Sequence, residues 1–198
     1  MKWLAAAVAA GMVAMAIDAR AQTPAAAAAA PPVLSVRPEP AGDPWWQRAS
    51  LEPKATVVHG IPIKRLEPAW CAAEALTREL FGEELLGPAA GNPLDGLAFS
   101  LEASFDGSGK RQTAFVGAYR RCDGERGLFV AIVDRRGERL RMRFLVEVPD
   151  PGTAFAALAL EPDSTLAVWW CPRCEKGHRI AFNRDSGGFF VAGPATRR

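Results

Sequence analysis

From Leu97 to the C-terminus the chain repeats one pattern: a short apolar run, then a tight polar break. The breaks are DGSGK, RCDGER, RRGE, PDPG, EPDS, CPRCEKGH and RDSGG, and the runs between them are rich in Val, Phe, Leu and Ala. Short runs of this kind bounded by Gly, Asp and Pro read as strands. Breaks this short join antiparallel neighbours, because a parallel pair needs a long crossover. The pattern therefore predicts about eight strands, at 97–105, 113–119, 127–134, 139–148, 154–160, 165–170, 179–183 and 189–192. Pro149-Asp150-Pro151-Gly152 divides them into two groups of four, each able to form a meander.

Ahead of the strands, residues 66–86 carry Ala69, Ala72, Ala73, Leu76 and Leu80 at helical spacing, with Pro68 suited to a first helical turn and Gly87-Pro88 as a stop. The expected fold is thus α+β: a mainly antiparallel β-meander with one packed N-terminal helix. Its expected core includes Phe115, Val130, Ile132, Phe144, Val146 and Val168. Residues 55–64, with Pro62, read as an edge strand or ordered loop, and His59 there as a polar loop or edge residue. The single domain is expected over 45–198. Residues 22–44 are rich in Ala and Pro and read as a disordered tether, with Trp45-Trp46 docking it onto the domain.

Residues 1–21 read as a signal peptide. Lys2 is a basic start, residues 4–17 form an uncharged stretch shorter than the roughly 20 residues of a membrane span, and Ala19-Arg20-Ala21 is a cleavage signal. The product expected is bacterial and periplasmic or secreted, with no stable membrane span after cleavage. All four cysteines, Cys71, Cys122, Cys171 and Cys174, follow that leader. An even number in an oxidising compartment favours disulfides. Four cysteines permit three connectivities; Cys71–Cys122 with Cys171–Cys174 is the preferred set. Trp170-Cys171-Pro172-Arg173-Cys174 also admits a thiol redox reading, although Glu175-Lys176-Gly177-His178 and another β run follow where a redox motif needs a helix. Cys171, Cys174 and His178 admit a metal reading by their C-x2-C-x3-H spacing, but a second knuckle is missing.

The first turn of the β region reads Ser104-Phe105-Asp106-Gly107-Ser108-Gly109-Lys110-Arg111-Gln112. With its flanking apolar runs, roughly residues 97–148, it resembles the FG-GAP or VCBS-type β-propeller blades. In that family a loop of the form DxDGDGxxD follows a strand and often binds calcium. Only Asp106 keeps an acidic position; Ser104, Ser108 and Gln112 stand at the others. One carboxylate beside Lys110 and Arg111 falls short of the oxygen ligands calcium takes. The residues serve equally as a Gly-rich hairpin turn.

Arg139, Arg141 and Arg143 alternate with Leu140, Met142 and Phe144, which places the arginines on one strand face. With Arg135 and Arg136 they suggest a docking face for an acidic protein or envelope polymer, although Glu138 and Glu147 dilute the charge. A formal net charge of +2 over 198 residues gives no electrostatic case for nucleic acid. There is no G-x-S-x-G elbow, H-E-x-x-H pair or phosphate-cradling loop; Glu83-Glu84 reads as a solvated helix end, and no cofactor or catalytic residue is implied. The functional expectation is a non-enzymatic binding or interaction protein, with a thiol redox or metal protein centred on Cys171 and Cys174 as the alternative.

Overall fold

The structure, a computed structural model, describes residues 31–37, 44–86, 94, 96–136 and 139–196. The expected signal peptide lies outside those residues. Within the expected tether, Val33–Val36 forms a strand (β1). Trp45–Arg48 makes a single helical turn (α1) that leads into Ala49–Glu52 (β2), which pairs antiparallel with β1 so that Leu34 faces Leu51. Trp45 packs its ring against Phe81 and Phe155, at 5.5 and 6.1 Å between centroids. Val57–Val58 (β3) and Ile61–Pro62 (β4) form a small hairpin. Its turn residues His59 and Gly60 both have positive φ (50° and 75°), the conformation that tight two-residue hairpin loops require. The His59 ring lies over Phe115.

The expected helix over 66–86 is the main correction. One helical turn, Ile63–Leu66 (α2), is followed by a strand, Trp70–Ala75 (β5), and then by Arg78–Leu86 (α3), whose helical path is broken at Gly82 (φ 69°, ψ 170°). Trp70, Ala72 and Ala73 are all buried, so β5 is covered on both faces, whereas a surface helix covers one stripe. Pairing with a partner distant in sequence overrides local helix propensity here. Among the described residues there are thirteen strands and three short helices, and the sheets are antiparallel throughout.

Each of the eight runs from Leu97 onward overlaps one strand, though the last two strands begin at Lys176 and reach Thr196, beyond the expected 179–183 and 189–192. Ser100–Ala103 (β6), Gln112–Arg121 (β7), Arg126–Arg136 (β8) and Arg139–Pro149 (β9) form the first meander. One edge of β7 is shared: β6 pairs with Gln112 to Phe115, and β5 with Gly117 to Arg121. A side chain at Gly117 would meet the Phe129 ring at 2.4 Å and the Glu74 carbonyl at 2.5 Å, so β5 can close on β7 only over glycine. Ala157–Leu160 (β10), Leu166–Trp169 (β11), Lys176–Asn183 (β12) and Gly188–Thr196 (β13) form the second meander. The two sheets touch at both margins. Ala98 and Leu158 exchange backbone hydrogen bonds of 2.7 Å beside β6, and β13 runs close to β9, with Phe144 against Phe189.

Alternation along the strands builds two cores. Ala114, Val116, Leu128, Val130 and Ile132 face Phe155, Leu158, Leu166, Val168 and Ile180 across the space between the sheets, with Phe144 and Val146 partly buried beside them. Phe115, Tyr119, Phe129 and Val133 face the opposite way, where Trp70, Val58, Ile61 and Ile63 cover them. The hairpin of β3 and β4, α2 and Trp70 thus cover the outer face of the first sheet, while Trp45, Ala49, Leu51 and Phe81 join the inner core.

Candidate functional site

Both disulfides are present with the preferred connectivity, Cys71–Cys122 and Cys171–Cys174. Cys171–Cys174 closes the turn between β11 and β12. Cys171 is buried, and Cys174 packs on the outer cluster formed by Ala167, Trp169 and Ala195. Trp169 lies directly over Gly177, where a side chain would meet the Val168 carbonyl at 2.4 Å. Successive residues of a strand face opposite ways, so Trp170 turns to the inter-sheet side. There its indole Nε1–H donates to His178 Nδ1 at 3.0 Å. In the neutral ring that bond leaves the imidazole hydrogen on Nε2. His178 is thus engaged by Trp170, and among the described residues no group of three or more His, Cys, Asp or Glu side chains is arranged to hold a metal ion.

Beside this pair the two sheets part. A cleft of about 210 Å³ opens between them, lined by Val130 of β8, Val146 and Val148 of β9, Val168 of β11, Trp170, His178 and Ile180 of β12, and Val191 of β13. Its floor is buried; its mouth includes His178 and Val191, the latter 48 % exposed. A volume of about 150 Å³ is enough for a benzene-sized molecule. None of the lining side chains is acidic. Glu147, between the two β9 valines, faces the other way and accepts hydrogen bonds from Trp70 Nε1 and Arg121. Tyr119, stacked on Trp70, has its phenol pushed up to about 12 by burial and by the charges of Glu147 and Glu125.

The arginine strand departs from simple alternation. Met142 pairs with Val133 and Phe144 with Ile132, so Arg143 is an extra residue in a β-bulge. Leu140 and Met142 consequently pack on the outer core, and Phe144 and Val146 on the inner one. Arg143 turns inward. Its side chain is only 14 % exposed, with Nη1 3.0 Å from Asp134 Oδ2 and Nη2 3.5 Å from Asp106 Oδ2. Its guanidinium stands 5.9 Å from the ring centres of Phe182 and Phe189. Gln112, also buried, donates from Nε2 to Asp106 Oδ2 and accepts from the Asp106 amide. Burial tends to raise the Asp106 carboxyl, but hydrogen bonds from Ser108 and the Arg143 charge outweigh it and hold the group below its ordinary value. Of the three arginines expected to form a docking face, Arg143 is a structural tie between the sheets and Arg141 is exposed. Arg139 begins β9, and its side chain lies outside the described residues.

Asp106 therefore closes the turn between β6 and β7 on itself, through Ser108 N–H at 3.0 Å and Gln112. Cys71 and Cys122 join the start of β5 to the end of β7, and Lys64 Nζ stands 3.6 Å from Cys122 Sγ while donating to the Pro68 carbonyl. The cysteine hairpin was visible in sequence as a staple. The Trp170–His178 pair and the cleft were not, although the apolar run ending in Trp169-Trp170, with one of only two histidines nearby, marks the place. Asp134, an acid closing the apolar run GLFVAIV, was the missed sign of the inner ion pair. No family model matches the chain, and no curated protein or solved structure is significantly similar to it.

Proposed function

We propose that this chain is an exported, disulfide-stapled, non-enzymatic binding protein that takes a small apolar ligand into the cleft between its two sheets. The observation that carries the reading is the cleft itself: valine and isoleucine walls, about 210 Å³, with a hydrogen-bonded Trp–His pair at the mouth. Concave, mostly apolar sites with a few fixed polar groups are the usual form of a small-ligand site. Two disulfides fit an oxidising compartment, and hence the periplasmic or secreted location that the leader implies. The docking of an acidic polymer has weaker support, because Arg143 is occupied internally.

The test is a titration of the protein with hexanol, followed by NMR. Methyl signals of Val146, Val148 and Val191 should shift together and saturate, and Val148→Trp, which fills the cleft, should abolish the response while the disulfides stay intact. Signals that remain unmoved up to millimolar hexanol would remove the reading.

A further inference from the structure

We infer that the ligand of this cleft is a short aliphatic carboxylate, held tail inward with its anionic head between His178 and Lys176. The inference rests on the binding reading above and adds the chemistry of the ligand. A volume of about 210 Å³ has room for roughly seven water- or methylene-sized groups. That suits a chain of about six to eight carbons, and the aliphatic walls offer no partner for a polar tail.

The polarity of the mouth selects the head. On β12 the residues Lys176, His178 and Ile180 share one face, since Gly177 lies under Trp169 on the other. They run from solvent to floor: Lys176 exposed, His178 at the mouth and Ile180 buried. Two residues of strand separate Lys176 from His178 by about 7 Å, within the reach of a lysine side chain. Trp170 occupies Nδ1 of His178, so the neutral ring offers its Nε2–H as a donor. His178 thus presents a fixed donor at the mouth, the exposed Lys176 follows two positions outward on the same strand face, and no acidic side chain is among the lining residues. A carboxylate accepts hydrogen bonds and pairs with an ammonium group; charge-assisted bonds of this kind are about twice as strong as neutral ones. An alkylammonium head, which only donates, would meet a donor and a like charge.

Hexanoate, hexylammonium and hexanol are titrated into the full-length protein, with the cleft valine methyl signals as readout. Hexanoate should bind at least about tenfold more tightly than hexylammonium, and His178→Phe should weaken hexanoate about tenfold while leaving hexanol nearly unchanged. Lys176→Glu alters an exposed side chain, so the fold should persist; it should reverse the order of the two charged ligands. Equal affinities for all three, or an order that Lys176→Glu leaves in place, would overturn the carboxylate assignment while the cleft remains a binding site. Absence of any shift with hexanol, the neutral probe, would instead overturn the cleft reading and this inference with it.

Discussion

Arg143 shows that a charged residue on the polar side of an alternating strand can serve the interior. Arg143 lies opposite the outward Met142, as alternation requires, and the bulge brings Phe144 to the same inner side, where Arg143 sits between two buried carboxylates and two phenylalanine rings. A buried ion pair adds modest net stability when intact but is costly to break, because the surviving charge is left without a partner. Arg143→Ala should therefore destabilise by about 3–5 kcal/mol, and the pair Arg143→Met with Asp134→Leu should recover part of that loss, Asp106 keeping its hydrogen bonds from Ser108 and Gln112. Urea unfolding of the single and double variants measures both. The Asp106 carboxyl is held below its ordinary 3.8 in the folded state. Its contribution is accordingly present above the unfolded value and lost as pH falls through the folded one. Asp106→Asn should lower stability at neutral pH, where that contribution is fully present, and change it little well below about pH 4, so that stability depends less on pH, as denaturation midpoints across that range would report. Alternation made the arginines legible in sequence. The bulge was not legible, because it is a two-against-one pairing between β8 and β9 rather than a property of either strand.

At the scale of elements, β5 is the instructive case. The stretch WCAAEALTREL has the composition of a helix, yet its first half completes the edge of β7 that β6 leaves open. The signal for that outcome lay elsewhere, in Gly117, whose missing side chain lets the two strands meet. Gly117→Ala should cost on the order of 1–3 kcal/mol through overpacking against Phe129, and should raise hydrogen exchange of the β5 amides more than those of β8. Cys71–Cys122 fixes the same pairing covalently. Closing a loop with a sequence separation of 51 stabilises by about 4 kcal/mol in the chain-entropy model. Cys71→Ala and Cys122→Ala should each lose about that much, and the double variant little more; thermal melts under oxidising conditions measure it. Melting temperatures equal to the parent's would contradict the assignment of this bridge as a stabilising one.

For the molecule as a whole, the eight strands from Leu97 onward and their division at residues 149–152 were legible, since each strand is closed by its own turn residues. The five earlier strands were legible only where β3 and β4 fall within 55–64, read as an edge strand or ordered loop. They span two to six residues each and owe their form to partners distant in sequence or to the cores on which they pack. The same limit applied to the cleft: its walls come from β8, β9 and β11 to β13, so no single stretch of sequence contains it. Phe155, fully buried, joins these regions by touching Trp45, Phe81 and Phe99. Phe155→Ala should cost about 3–5 kcal/mol, and a loss below 1 kcal/mol in chemical denaturation would contradict its place at the centre of the core.

The shared edge of β7 has a consequence for a chain cut by a protease. Lys110 and Arg111 lie on the exposed turn before β7. A cut there would leave β5 and β6 on one fragment and β7 on the other, with the whole former edge still hydrogen-bonded and Cys71 still bonded to Cys122. Trypsin-nicked protein should therefore migrate as one species until a reductant is added, and fold as a two-chain molecule in the meantime.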